Sequence, residues 1–218
     1  MLCIVHKHSD RLKMVRTAPS IDADALRVKL ESLGIPLVND SDLQSLAWNS
    51  LFQSDDGLQI PHPMAIAAPR NEQHVADAVA LALHHDLRVG VRSGGHHYGC
   101  SWAQSGSLLL NVGALCDVHI DTQSATARFG PGVTGGMLYD ALDGTGLHFP
   151  GPHLSSVACG GFITGGGNGF GTPLFGAGTH VALCTHNVYI LLHTASVRLP
   201  ALGAHGRRPW CAHRHGRL

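Results

Sequence analysis

Residues 94–98, Gly-Gly-His-His-Tyr, combine groups that can bind an anion with groups that can do chemistry. Paired glycines leave main-chain amides unshielded and tolerate positive φ, which is the geometry of a concave nest for phosphate oxygens. A histidine beside such a nest carries a nucleophilic nitrogen whose pKa lies near neutrality. Arg92 is the one charged side chain between residues 91 and 102. The segment therefore predicts a loop that approaches a large anionic ligand while one imidazole reaches it.

A second glycine cluster, CGGFITGGGNGFG at residues 159–171, can serve the same ligand, and 22 of the 27 glycines lie within residues 90–178. A Walker A phosphate loop is excluded because no lysine follows Lys29. The dinucleotide pattern G-x-G-x-x-G also fails, since its third glycine falls on Phe170 or Thr172. Tight turns and close strand crossings without any ligand remain the alternative for these glycines.

A metal site is the other chemistry that histidines suggest. Adjacent residues of a regular strand point to opposite faces, so His96 and His97 would not share one ion. The nearby carboxylates are Asp86 and Asp117, and the six cysteines form no C-x-x-C pair. The sequence therefore predicts no metal site.

The elements before the first glycine loop have clear periodicity. Residues 21–33 read as an amphipathic helix with acidic residues in its first turn, and residues 71–86 repeat apolar side chains at the helical period. Short apolar runs at 64–69 and 87–93 flank the second helix as strands. Together they predict a β-α-β unit that delivers the glycine loop from the end of a strand.

Beyond that loop the apolar period changes to two. Three short strands are predicted at 107–113, 116–121 and 125–132, followed by a helix at 134–146. The predicted fold class is α+β, with a mixed sheet and flanking helices. Three segments are expected: a helical or irregular start (1–59), a central domain (60–179) and an atypical tail (180–218).

Composition and charge limit the classes of binding partner that we expect. The 15 basic and 15 acidic residues give no net charge and no basic face, so we expect no nucleic-acid partner. No apolar run approaches the ~18 to 20 residues that a bilayer span takes, so we expect no membrane insertion. The apolar start at residues 1–5 ends at His6, too early for the core of a signal peptide. Localisation stays open.

Four ordered motifs resemble the flavin-binding domain of FAD-linked oxidases of the berberine bridge enzyme type, in the vanillyl-alcohol oxidase superfamily, which has the PCMH-type fold. They are HPMAIAAPRNEQHVADAVALALHHDLRVG (62–90), VRSGGHHYGCSW (91–102), FGPG (129–132) and GGFITGGGNGFG (160–171). The similarity extends roughly over residues 64–179, with a weaker match in LAWNSLF (46–52).

The resemblance implies an elongated FAD whose pyrophosphate lies on the main chain of residues 92–95 and whose ring is bonded covalently to His96. Family members pass hydride from a small organic substrate to the flavin and then to dioxygen, and some are secreted. The residues expected to contact the cofactor are Arg92, Ser93, Gly94, Gly95, His96, His97, Tyr98, Gly132, Gly160, Gly161, Gly165, Gly166 and Gly167.

The sequence departs from the family pattern at some positions, and these departures limit which family properties we expect in this chain. Where bicovalent members have a second flavin-linking cysteine this chain has Leu154, so a single histidyl link is expected, and Cys159 is interpreted as a small buried residue. No acidic residue follows Asp143, and the family's Asp-Asn pair is replaced by His180 and Val181. We interpret the tail as an out-of-frame or mis-spliced segment.

The chain is thus expected to be a truncated member, without the half that supplies the substrate pocket and the catalytic base, and no catalytic residue is identified. A non-catalytic FAD-binding remnant or a misfolded fragment is the alternative function. A histidine-rich metal-binding module is a third hypothesis, which rests on the tail.

Overall fold

A computed structural model describes residues 19–46, 61–181 and 195–199. The helices are α1 (Ala23–Ser32), α2 (Leu43–Leu46), α3 (Glu72–His84), α4 (Gly135–Leu142), α5 (Cys159–Thr164), α6 (Thr172–Phe175) and α7 (Gly178–Val181). The strands are β1 (Leu37–Val38), β2 (Ala65–Ala67), β3 (Val89–Arg92), β4 (Leu108–Asn111), β5 (Val118–Asp121), β6 (Thr126–Phe129) and β7 (Ala195–Arg198). None of the helices in these ranges has the length and apolar character that crossing a bilayer takes.

Side-chain caps fix the starts of the three longer helices. Asp22 accepts a hydrogen bond from the main chain of the first turn of α1, and Asn71 does the same for α3. Thr134 accepts from Met137 at the start of α4. Each cap satisfies an amide that has no partner within the helix. These three helices confirm the predictions from periodicity, with ends one to four residues inside the predicted bounds.

The first sheet holds the predicted β-α-β unit. Its strand order is β1-β2-β4-β3, with β2 and β3 both parallel to β4 and β1 antiparallel to β2. The two strands joined by α3 are therefore parallel but not adjacent, because β4 inserts between them. Helices α1 and α3 bury Leu26, Leu30, Val75 and Ala78 against this sheet.

The second sheet is antiparallel, in the order β5-β6-β7. Phe129 of β6 packs edge-on against Phe149 at 5.7 Å between ring centroids, in a core that α4 and α5 also enter. The sequence predicted the strands that became β4, β5 and β6 but not their division between two sheets.

Part of the predicted tail lies in this second sheet. Residues 195–199 supply β7, and Val197 and Leu199 are buried in the core around Phe129. This stretch therefore contributes a strand and two buried side chains to the second sheet. Residues 182–194 and 200–218 lie outside the described ranges, as do residues 47–52 of the weaker family match. The out-of-frame interpretation and the three-segment division stay predictions.

Candidate functional site

A cavity of about 510 Å³ lies between strand β3 with its following loop and the segment around α5. Pockets for small molecules and cofactors run about 300–1,000 Å³. One wall is residues 89–97, and the opposite wall contains residues 157–168. The fold thus brings the two glycine clusters, which are more than sixty residues apart in sequence, to one cavity.

The Arg92 guanidinium shapes the loop at the end of β3. Its Nε donates to the carbonyl of Leu46 (2.9 Å), and its two Nη groups donate to the carbonyls of Ser93 (3.1 Å) and Gly94 (3.4 Å) and to Oδ1 of Asn111 (3.2 Å). The side chain is buried, and burial lowers the pKa of Arg92, although an arginine remains charged at neutral pH. The residue acts as a clamp on main-chain oxygens.

The clamp decides where the loop's amides point. In a trans peptide the C=O and the N–H lie on opposite sides, and none of the described peptide bonds is cis. Because the Ser93 and Gly94 carbonyls face Arg92, the N–H groups of Gly94 and Gly95 face away from it. Within the described ranges, the amides of Ser93, Gly94 and Gly95 donate to no acceptor. They are available to an anion in the cavity.

Gly95 requires glycine, and Gly94 leaves little room for a side chain. Gly95 has φ +76°, and a Cβ there would lie 2.7 Å from Arg92 Nη2 and 2.8 Å from the Leu46 carbonyl. A Cβ on Gly94 would lie 3.0 Å from the main-chain nitrogen of Ala158, on the opposite wall. The first glycine cluster therefore serves the loop geometry and the close approach of the two walls at once.

His96 lies on the cavity wall with Nε2 3.1 Å from Oγ of Ser156. Burial lowers the pKa of His96; hydrogen bonding to the main chain of Ser156 opposes this, and the nearby charge of Arg92 adds to the lowering. The ring is therefore held toward its neutral, nucleophilic form at physiological pH.

His97 also lines the cavity, and its Nδ1 lies 3.4 Å from Oγ of Ser101. The expectation that the adjacent histidines face opposite sides assumed a regular strand, whereas β3 ends at Arg92 and both histidines follow in an irregular loop. Among the described residues, no group of three or more His, Cys, Asp or Glu side chains is placed to hold a metal ion.

The other predicted contact residues separate into two groups. The cavity lining includes Ser93 of the first loop and, on the opposite wall, Gly161, Gly165 and Gly167. Four predicted residues do not line it: Tyr98, Gly132, Gly160 and Gly166. Tyr98 is 59% exposed, while a Cβ on Gly132 or Gly160 would collide with the carbonyl of Gly113 (2.3 Å) or Pro131 (2.8 Å).

Sequence reasoning missed two residues of the site. Trp102 lines the cavity, and the centroid of its ring lies 5.8 Å from Cζ of Arg92. Ser156 holds His96 from the far wall. Trp102 stands in the quoted loop motif, so an aromatic residue there was a usable signal, whereas nothing in the sequence marks one serine of the pair at 155–156.

The electrostatics of the cavity favour an anion. The described lining residues contain no carboxylate, and the described ion pairs belong to Arg27, not to Arg92. Two buried polar atoms in the lining, Oγ of Ser93 and Nε1 of Trp102, have no hydrogen-bond partner in the described part of the chain. A buried cation, unpaired donors and bare amides together match a ligand rich in oxygen acceptors.

Leu154 and Cys159, the two positions weighed for a second flavin link, are not among the residues that line the cavity. Leu154 is 59% exposed. Cys159 is fully buried in the core around Phe129, and burial raises the pKa of its thiol to about 12. The interpretation of Cys159 as a small core residue is confirmed.

Comparison with known proteins gives a consistent result. The profile of a family described as FAD binding domain matches residues 63–186. The FAD-linked oxidoreductase pynB of Aspergillus niger is 34% identical over 105 residues, which is 48% of this chain and 19% of that protein. The (R)-6-hydroxynicotine oxidase of Paenarthrobacter nicotinovorans is 34% identical over 122 residues, 56% of this chain and 26% of that protein.

Among solved structures, a berberine bridge enzyme variant, described as a reticuline dehydrogenase, superposes with a TM-score of 0.66 at 21% identity. The match covers 81% of this chain and 43% of that one, and it shows a shared fold. The chain spans about a quarter or less of the length of the two curated relatives.

Proposed function

The chain belongs to the FAD binding domain family, and from that premise we propose that it forms the flavin-binding part of an FAD-linked oxidoreductase. The observation that carries the proposal is the cavity in which the Arg92 clamp turns the amides of Gly94 and Gly95 outward, beside His96. Its relatives are named as FAD-linked oxidoreductases and oxidases.

The described residues fit FAD in two respects. A pyrophosphate needs several hydrogen-bond donors and positive potential, and the amides of residues 93–95 together with the buried charge of Arg92 supply both. The unpartnered Oγ of Ser93 and Nε1 of Trp102 are two further donors at this wall. The main chain and these side chains would hold the anionic portion of the cofactor.

His96 is the residue we assign to covalent attachment through the 8α-methyl carbon of the flavin. Its lowered pKa keeps a ring nitrogen unprotonated near neutral pH, as bond formation needs. Bound FAD supplies the capacity to accept a hydride; the protein positions it. This link, with Leu154 replacing the second link of bicovalent enzymes, gives a singly attached flavin.

The substrate class we propose is a small organic molecule from which a C–H hydride is removed, with dioxygen as the final electron acceptor. Support comes from the name of the bacterial relative, an oxidase of a small heterocyclic compound. No base that would accept the substrate proton is assigned among the described residues.

Absorbance of the purified full-length chain tests the proposal. We expect a yellow protein whose flavin remains with the pellet after acid precipitation. His96→Ala should release the flavin into the supernatant while the far-UV circular dichroism stays unchanged. His97→Ala, which removes the neighbouring imidazole, is the matched control and should retain bound flavin in the pellet. A colourless, folded wild-type protein that takes up no added FAD would contradict the cofactor assignment.

A further inference from the structure

Residues 39–41, Asn-Asp-Ser, match the acceptor pattern for N-linked glycosylation, in which asparagine is followed by any residue except proline and then by serine or threonine. The chain has six asparagines, and the other five have no serine or threonine two positions later. Such a tripeptide can occur by chance, so its use depends on where the fold places it. The acceptor must lie at the surface, because a glycan is bulky and strongly hydrated.

The fold places this tripeptide at the surface, directly after strand β1. Asn39 is exposed, has extended backbone angles (φ −67°, ψ 145°) and precedes a short 3₁₀ helix at Asp40–Asp42. Its main-chain carbonyl accepts a hydrogen bond from the amide of Asp42 at 3.0 Å, but its side chain caps no amide of this turn. A sugar on Nδ2 of Asn39 would therefore break no capping hydrogen bond.

The residues around Asn39 fix the turn and leave the acceptor accessible. Oδ2 of Asp40 accepts a hydrogen bond from Nη2 of Arg27 in helix α1 at 2.6 Å. Leu43, just after the turn, is buried in a hydrophobic cluster with Ile66. Ser41, which completes the acceptor pattern, is exposed like Asn39. The turn is thus anchored through other residues, and a glycan would not compete with these contacts.

The position of β1 in its sheet keeps this turn away from the cavity. In the described part of the chain, β1 pairs with β2 alone and lies at the opposite edge of the sheet from β3, whose loop lines the cavity. Three strand spacings, about 14 Å in total, separate the two edges. An open edge can pair with a strand of another molecule, which a bulky group at its end hinders. A glycan here would shield the edge and leave the cavity accessible.

We propose that Asn39 is an N-glycosylation site, used when the chain is translated into the lumen of the secretory pathway. The donor is an oligosaccharide linked to a lipid diphosphate, which the host cell supplies together with the transferase. Nδ2 forms a bond to the anomeric carbon of the first sugar and loses one proton. The bond from that carbon to the diphosphate breaks, and the lipid diphosphate leaves with its electron pair. No oxidant or reductant is needed, and the inference is independent of the proposed flavin chemistry.

Expression of the full chain behind a secretory leader in a eukaryotic host tests the proposal. We expect the soluble protein to carry one glycan, seen as a single loss of mass on treatment with peptide-N-glycosidase F. The enzyme converts the glycosylated asparagine to aspartate, which peptide mapping should locate at residue 39. Asn39→Gln and Ser41→Ala should each abolish the mass loss. Asp42→Ala changes the next residue, keeps the tripeptide and should retain the glycan.

A soluble, secreted wild-type protein whose mass is unaffected by the glycosidase would overturn the proposal, as would a glycan that persists in Ser41→Ala. Ser41→Thr keeps an acceptor tripeptide and should restore the glycan, so the effect of Ser41→Ala can be assigned to the loss of the hydroxyl. None of these measurements uses flavin. A glycosylated protein that binds no FAD would therefore support the Asn39 site and contradict only the proposed function.

Discussion

At the scale of single residues, the site depends on a cation that touches no carboxylate within the described ranges. Arg92 donates to carbonyls of Leu46, Ser93 and Gly94. A lysine at this position would keep the charge but could not reach three separate oxygens with a planar fork. Replacing Arg92 with lysine therefore tests the hydrogen-bond geometry of the guanidinium while the positive charge is kept.

Arg92→Lys should weaken reversible FAD binding at least tenfold, because the loop loses hydrogen bonds from a charged donor worth ~1.5–3 kcal/mol each. The measurement is a titration of FAD fluorescence in the His96→Ala background, where binding stays non-covalent. Arg88→Lys is the control, since Arg88 is exposed and bonds Ser105 instead. Equal affinity in Arg92→Lys and the wild type would show that the clamp does not organise the binding loop.

Two adjacent glycines of α5 should behave differently. A Cβ on Gly161 meets nothing within 4 Å and would project at the cavity, so Gly161→Ala should preserve the fold and weaken FAD binding. A Cβ on Gly160 would lie 2.8 Å from the Pro131 carbonyl, so Gly160→Ala should lower the melting temperature. Thermal melts and FAD titrations of both variants measure these two effects. A Gly161→Ala protein with the FAD affinity of the wild type would show that α5 does not contact the ligand.

At the scale of elements, a histidine ring packs against helix α6. His148 lies 5.0 Å, centroid to centroid, from the ring of Phe175, and burial lowers the pKa of His148 from 6.5. Its neutral form is favoured in the folded state, while the unfolded chain protonates at the ordinary pKa. His96 shifts in the same direction.

The free energy of unfolding should therefore be greatest above pH ~6.5 and decrease as the pH falls through the lowered pKa values, because the unfolded state then binds more protons. In His148→Gln the free energy of unfolding should decrease less between pH 7 and pH 5 than in the wild type. The remaining decrease would include the contribution of His96. Urea unfolding at several pH values measures this, and His62→Gln removes an exposed imidazole as the control. A His148→Gln slope equal to that of the wild type would refute the assignment.

The elements were largely predictable because their signals are local. The amphipathic pattern located α1, the helical period of apolar residues located α3, and α4 was predicted at residues 134–146; the structure adds the caps Asp22, Asn71 and Thr134. Helix α5 was missed because its Gly-Gly segment has poor helix propensity; in the structure Gly160 lies directly against Pro131. The placement of β4 between β2 and β3 depends on tertiary pairing, which no local pattern encodes.

At the site, the loop residues were predictable from glycine chemistry and the family resemblance, and His96 lies on the cavity as that resemblance requires. Gly132 and Gly160 carry the same glycine signal but pack against main chain. The side-chain contacts of Arg92 and Ser156 depend on distances between residues far apart in sequence. Such contacts follow from the folded chain and leave no mark in composition or spacing.

At the scale of the whole molecule, the hydrophobic core around Phe129 includes Val197 and Leu199 from the C-terminal part of the chain. Val197 is fully buried beside Phe129, and β7 pairs with β6 along four residues. The core around Phe129 therefore depends on a segment that follows the end of the family match at residue 186.

Val197→Asp should destabilise the fold by more than about 3 kcal/mol, because it buries a carboxylate without a partner. Arg128→Asp, at an exposed position of the neighbouring strand, should change the unfolding free energy by about 0.5 kcal/mol or less. Urea denaturation of the two variants gives the comparison. If Val197→Asp were as stable as the wild type, residues 195–199 would have no part in the core.

The Arg92 clamp has a further consequence for recognition. Four oxygens of the protein accept hydrogen bonds from its guanidinium, so contacts within the protein hold the loop in its receptive shape. Little conformational entropy is then lost when an anion docks, and more of the intrinsic contact energy appears as affinity. Selectivity between anionic ligands must come from other residues of the cavity, because these preorganised amides can bind the diphosphate of any ligand that fits.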